Sequence, residues 1–187
     1  MEVKTVYFAN TGTENTDEVL RIAKQRAEEL GIKTILVAST IGNTAVKAVD
    51  VFKGMKVIAI SHAAGSREPN AQEFTEENRG IVESKGGIIL TTTHAFSGVS
   101  RAIRNKMETA SIGDIIANTL RIFGQGMKVV CEIALMAADS GLARTDEDVI
   151  AIAGSSRGAD TAVVLAPVNS QDFFNLKVRE ILCKPHF

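Results

Sequence analysis

The sequence predicts a three-layer α/β domain wound on both faces of a mainly parallel sheet, and three observations carry that prediction. Short apolar runs alternate with stretches of helical periodicity through the first half of the chain. The strand-like runs are apolar without interruption, as strands covered on both faces should be. Alternation of strand and helix in that order implies parallel strands joined by right-handed crossovers. At 187 residues the chain is sized for one domain, taken as residues 1–187, with no linker or low-complexity segment dividing it.

Lys4 to Ala9 reads as the first strand. The first helix follows, with Val19, Ile22, Ala23, Ala27 and Leu30 on one face. Asn15, three residues before Glu18, has the form of an N-cap with its reciprocal acid, and Gly31 supplies the stop. Thr34 to Ala38 is the second strand, Thr44 to Phe52 the second helix and Met55 to Ile60 the third strand. A polar stretch from Ser61 to Asn70 leads into a helix from about Ala71 to Ser84. Gly86 and Gly87 end it, and Ile88 to Thr92 is the fourth strand. From Val99 to Leu142 the signals are helical only, broken at Ser111–Gly113 and Gly124–Gly126, so a helical insertion is expected there. Val149 to Ala153, Thr161 to Ala166 and Lys177 to Leu182 then return as strands. Their close spacing suggests an antiparallel edge.

Composition narrows the function. Hydrophobic residues at 45% and charged residues at 23% are ordinary for a packed globular chain. The formal net charge of −1 leaves no basic surplus for a nucleic-acid backbone, so no nucleic-acid partner is expected. The longest apolar run, Met127 to Ala138, is short of the roughly 20 residues that span a bilayer and is broken by Lys128 and Glu132, so no membrane partner is expected either. The start, Met1 to Lys4, runs straight into strand-like residues, which argues against a secretory leader. Two separated cysteines, Cys131 and Cys183, fit a reduced, cytoplasmic setting. The apolar helix near Leu135 and Met136 offers a surface for self-association.

In open α/β sheets, ligands bind beyond the carboxyl ends of the strands. That rule selects five loops, all rich in Ser, Thr, Gly, Asn or His. The most informative is Ser39-Thr40-Ile41-Gly42-Asn43-Thr44, which turns from a strand directly into a helix. A helix start leaves N–H groups unpaired and carries partial positive charge, so it suits a phosphate. Hydroxyls from Ser39, Thr40 and Thr44 add donors, and Gly42 lets the backbone approach closely. One helix cap needs one hydroxyl, and this loop has three. It has no lysine and is not the nucleotide-binding P-loop.

The stretch Ile35 to Ala45, followed by Val57-Ile58-Ala59-Ile60, resembles the C-terminal α/β domain of pyruvate kinase, as does the later loop Gly154-Ser155-Ser156-Arg157-Gly158-Ala159-Asp160-Thr161. The whole chain is similar to stand-alone archaeal proteins of this type. The resemblance implies that Ser39, Thr40, Asn43 and Thr44 surround a phosphate, as their counterparts do for a sugar bisphosphate effector. Ile41 departs from it, standing where a hydroxyl residue is common. The catalytic barrel of pyruvate kinase has no counterpart here, so phosphoryl transfer to or from pyruvate is not implied. The stand-alone proteins are associated with flavin mononucleotide (FMN), which the resemblance makes the expected cofactor.

The remaining loops supply candidates. Asn10, Thr11 and Gly12 follow the first strand and are expected to contact a ring or ribityl chain from a neighbouring strand end. Thr92 and His94 follow the fourth strand. His94 has the chemistry to donate to a flavin carbonyl or to act as a general acid or base. His62, after the third strand, has the same two roles open to it. Phe96 is a candidate to cover an aromatic ring, or a core residue. Gly154 and Arg157 offer close backbone approach and a cation for the phosphate. Glu132 and Lys128, four residues apart, read either as a surface ion pair or as a partly buried acid reaching the crevice. His94, His62 and Glu132 are therefore the candidate catalytic residues, and no metal site is expected. The expected function is binding of a small phosphate-bearing ligand. The alternatives are a regulatory module for a sugar phosphate and a small enzyme acting on a phosphorylated metabolite.

Overall fold

A computed structural model describes residues 2–186. Its centre is a seven-stranded sheet formed by β1 (Val6–Phe8), β2 (Thr34–Ala38), β3 (Lys56–Ile60), β4 (Ile88–Leu90), β5 (Val149–Ala153), β6 (Thr161–Ala166) and β7 (Lys177–Pro185). Across the sheet the order is β1-β7-β6-β5-β2-β3-β4. The pairs β5–β2, β2–β3, β3–β4 and β1–β7 are parallel. Only β6 runs against its neighbours, β5 and β7. The antiparallel pairing expected late in the chain is thus at β6, with β7 and β1 lying outside it.

Alternate residues of each strand supply two separate cores, as the period-two geometry of a strand requires. Ile35, Val37, Val57, Ala59, Ile150 and Ile152 face one side. There they pack with Val19, Leu20, Ala23 and Ala27 of α1 (Thr16–Leu30), Ala45, Ala48 and Val49 of α2 (Asn43–Val51), and Val82 of α3 (Glu76–Ser84). Leu36, Ile58, Val149, Ala151 and Val163 face the other side. They pack against Ala117 of α5 (Ile112–Arg121) and a long row from α6 (Gln125–Asp139). α6 is apolar around most of its circumference because it lies between the sheet and its neighbours. Leu135 and Met136 are both buried in it, which removes them as a surface for self-association. Cys131 and Cys183 are also buried, and desolvation pushes their thiols up to about 11 and about 12. α4 (Gly98–Met107) buries none of its residues. No helix is long and apolar enough to cross a membrane among the described residues.

Several local expectations change. The Asn15 side chain does not cap α1. Its amide donates to the Asn10 carbonyl at 2.9 Å, while Glu18 pairs with Arg21. Leu30 lies exposed at the end of α1. The helix expected from Ala71 begins at Glu76, where the Thr75 hydroxyl accepts from the Asn78 N–H. In the helical middle, α5 starts at a capping box formed by Ser111 and Asp114.

The close approach of α6 to β6 depends on Gly126. A Cβ there would fall 2.1 Å from Thr161 Oγ1 and 3.1 Å from Asp160 Oδ1. Gly126→Ala is expected to lower stability by about 1–3 kcal/mol, the usual cost of overpacking. Urea unfolding checks this, and an unchanged midpoint would contradict the tight α6–β6 contact.

Candidate functional site

A cavity of about 910 Å³ opens at the carboxyl ends of β2, β3 and β5 and beneath α5 and α6. Its first wall is the β2–α2 loop. The Ser39 hydroxyl is turned inward and accepts the Ala45 N–H at 3.2 Å, so one of the three hydroxyls serves as the helix tie. The N–H groups of Thr40, Ile41, Gly42, Asn43 and Thr44 meet no acceptor among the described residues. Asn78 of α3 holds the loop from behind. Its amide donates to the Ile41 carbonyl at 2.9 Å and to Asn43 Oδ1 at 3.0 Å. Gly42 has φ +105°, and a Cβ there would lie 2.5 Å from the Asn78 Cβ. Glycine is therefore required by both conformation and space.

The second wall is built from charge. Glu132 is 3% exposed and Lys128 6%, so their pair is buried and does not reach the protein surface. Lys128 Nζ donates to Glu132 Oε2, and the Phe96 N–H donates to Glu132 Oε1 at 3.0 Å. His94 Nδ1 stands 3.8 Å from Glu132 Oε2. The Ala63 N–H donates to His94 Nε2 at 3.3 Å, which fixes Nδ1 as the protonated nitrogen of the neutral ring. Burial lowers the His94 pKa, with Glu132 pulling the other way and His62, Lys128 and Arg101 adding to the depression.

His62 sits beside His94, with ring centroids 5.3 Å apart. Its Nδ1 is 2.7 Å from Glu73 Oε2, and Arg67 Nε is 3.1 Å from the other Glu73 oxygen. Its Nε2 is 3.4 Å from Thr40 Oγ1, which joins the histidine to the β2–α2 loop. Lys47, Arg67, Arg101, Arg104, Arg121, Lys128 and Arg157 all line the cavity, against only Asp114 and Glu132 among the acids. A chain of net charge −1 thus gathers cations at one place. Arg157 is the one of these cations whose own side chain makes no hydrogen bond or ion pair among the described residues. Among the described residues no group of three or more His, Cys, Asp or Glu is placed to hold a metal ion.

The structure brings together Ser39, Thr40, Asn43, Thr44, His62, His94, Glu132, Gly154 and Arg157 from the sequence-based candidates. Asn10, Thr11, Gly12, Gly42 and Thr92 do not line the cavity. For the first three the reason is strand order. β1 lies at the sheet edge with β7, β6 and β5 between it and β2, so the first residues after it stay away from the cavity and only the end of its connection reaches it. Gly12 instead donates its N–H to Asp160 at 3.1 Å, and Thr13 and Thr16, farther along, reach the cavity. Gly42 is buried against Asn78 and Phe74. Glu73 and the arginines of α4 and α5 were missed. The i, i+3 spacing of Arg101 and Arg104 was a legible basic stripe. Nothing local marks Glu73 as the partner of His62.

Residues 17–165 match the protein family described as pyruvate kinase, alpha/beta domain. Similar solved structures include a pyruvate kinase from Cryptosporidium parvum, at 16% identity and TM-score 0.43, covering 81% of this chain and 22% of that one. The Cryptosporidium parvum pyruvate kinase in complex with ADP matches at 17% identity and TM-score 0.39, covering 79% of this chain and 22% of that one. This chain therefore spans 22% of the length of the pyruvate kinases it matches.

Two outcomes test this geometry. Gly42→Ala is expected to cost about 1–3 kcal/mol, from a strained left-handed residue pressed against Asn78, read by urea unfolding. His94, with its pKa depressed below the ordinary 6.5 in the folded state, favours folding fully above 6.5. That contribution is lost as pH falls from 6.5 through the lowered folded value, because the unfolded chain takes up the proton first. The melting temperature should fall over this window, and His94→Asn should flatten the fall. An identical pH profile for the variant would contradict a buried neutral His94.

Proposed function

This chain belongs to the pyruvate kinase alpha/beta-domain family, and on that premise we propose that it binds a small phosphate-bearing ligand with the phosphate at the Ser39 loop. The observation that carries the reading is the run of N–H groups from Thr40 to Thr44 left without acceptors at the start of α2, in a cavity wall rich in cations. An anion satisfies such groups and is favoured by the helix dipole. Thr40 and Thr44 add hydroxyls, and Lys47 and Arg157 add charge. The cavity volume falls in the range of about 300–1,000 Å³ usual for small-molecule sites.

FMN is the proposed ligand. The residues present suit it: the Ser39 loop offers donors for the phosphate, and Ala38, Ile60, Phe96, Ile133 and Met136 form an apolar wall for a ring system. Bound FMN would supply redox chemistry, and Lys128 and His94 would stand at the polar side of that wall. A second reading, an effector-binding module for a sugar phosphate, is favoured by Arg101, Arg104 and Arg121, which extend positive charge away from the Ser39 loop on other elements.

Acid treatment of purified protein, followed by absorbance and mass analysis of the released small molecule, identifies the ligand. Thermal-shift titrations with FMN, a sugar bisphosphate and inorganic phosphate rank the classes. Thr44→Val is expected to weaken binding by about tenfold or more, since a hydrogen bond to a charged group contributes about 1.5–3 kcal/mol. A protein that releases no phosphate-bearing molecule and is stabilised by none of the three would sink the reading.

A further inference from the structure

We propose that His62 is a phosphoryl acceptor: its Nε2 attacks the phosphorus of an activated phosphate held at the Ser39 loop and forms a transient phosphohistidine. The inference rests on the phosphate site proposed above, though not on FMN as its occupant.

The ring is prepared for this chemistry. A carboxylate accepts hydrogen bonds and cannot donate, so Glu73 at 2.7 Å from Nδ1 places the ring proton there. The lone pair is then on Nε2, met at 3.4 Å by the Thr40 hydroxyl of the phosphate loop, a rotor that can turn to the phosphate instead, unlike a fixed backbone N–H. A histidine held through one nitrogen by a carboxylate is oriented and fixed in one tautomer, with the other nitrogen as the nucleophile. Arg67, on the second oxygen of Glu73, completes a line of three side chains ending at the cavity. His94 is not equivalent to His62. Its Nε2 lone pair is taken by the Ala63 N–H, and its side chain is 18% exposed against 36% for His62.

In the first step a P–Nε2 bond forms and the bond from phosphorus to the leaving oxygen breaks. The leaving group departs as an anion with that electron pair. The Nδ1 proton stays on the ring, and Glu73 balances the positive charge that the ring acquires. In the second step water attacks phosphorus, the P–Nε2 bond breaks and its pair returns to the nitrogen, releasing dihydrogen phosphate. The neighbouring histidine, His94, is not turned to protonate a leaving oxygen. His94 is neutral, with its Nδ1–H turned toward Glu132. The substrate class is therefore a phosphate with a stable anionic leaving group, such as an acyl phosphate, rather than a simple alkyl phosphate.

The test uses acetyl phosphate as donor, with intact-protein and peptide mass spectrometry. The expected product is a single phosphoryl group on His62 that survives alkali, is lost in acid and is absent from His62→Asn. Glu73→Ala should slow its formation at least tenfold, with Glu73→Gln recovering part of the rate because its amide oxygen still accepts from Nδ1–H. A merely structural role for Glu73 would not give that recovery. A protein that is stabilised by inorganic phosphate yet takes up no phosphoryl group overturns the proposal and leaves the phosphate site standing. An acid-stable adduct on Thr40 overturns it as well, in favour of the hydroxyl. Failure to bind inorganic phosphate at all removes the site itself.

Discussion

Asp160 is a carboxylate with no exposed surface, and the arrangement of the strand ends depends on it. One oxygen accepts the N–H groups of Gly12 and Ser155, at 3.1 and 3.0 Å, and the other accepts the Thr161 hydroxyl at 2.8 Å. The β1–α1 turn is thereby tied to the distant β5–β6 connection, whose own shape the same carboxylate holds, and Gly126 of α6 closes against it. Burying a carboxylate costs several kcal/mol unless its lone pairs are satisfied. Each hydrogen bond to a charged group returns about 1.5–3 kcal/mol, so three of them make the buried charge tenable. The result is a rigid rim: the β1–α1 turn and the Gly154 loop cannot move independently. Thr13, Thr16, Gly154 and Arg157 therefore present themselves to the cavity together.

Glu132 plays the corresponding part on the opposite side. Its two oxygens hold Lys128 and the Phe96 N–H, and His94 stands beside it. The pair Lys128–Glu132 brings no net charge into the core, and its position on α6 puts it against a cavity that otherwise gathers arginine. Asp160 and Glu132 thus act differently. Asp160 is wholly committed to loop geometry, while Glu132 balances Lys128 and holds the Phe96 backbone at the cavity wall. The Ser39 loop, lining the same cavity as Glu132, is braced from behind by Asn78 and left with unpaired N–H groups among the described residues.

Much of this was legible in the sequence. The strands β2, β3, β5 and β6 read directly, since uninterrupted apolar runs between turn residues have few other interpretations. The Ser39 loop was legible for the same local reason: a strand, a glycine and three hydroxyls before a helix. The start of α3 was not, because tertiary contacts hold the preceding residues out of the helix: Gln72 and Glu73 bond His62, and Phe74 packs beside Gly42. The Asn15 side chain was misread as a cap because its amide N–H is turned to the Asn10 carbonyl, five residues back, and its oxygen takes no helix N–H. Lys128 and Glu132 sat on an obviously apolar helix, yet their spacing fitted a surface pair equally well.

By itself the sequence determined the fold class, the sites of most elements and the character of the strand-end loops. These follow from periodicity, turn chemistry and composition, which act over a few neighbouring residues. Only the tertiary structure decided the strand order, and with it the exclusion of Asn10, Thr11 and Gly12 from the cavity, because β1 joins the sheet at the far edge beside β7. Only the tertiary structure joined His62 to Glu73, set His94 beside His62 and collected cations from six separate segments in a chain with almost no net charge. Those contacts depend on which distant segments meet, and a local pattern carries no record of that.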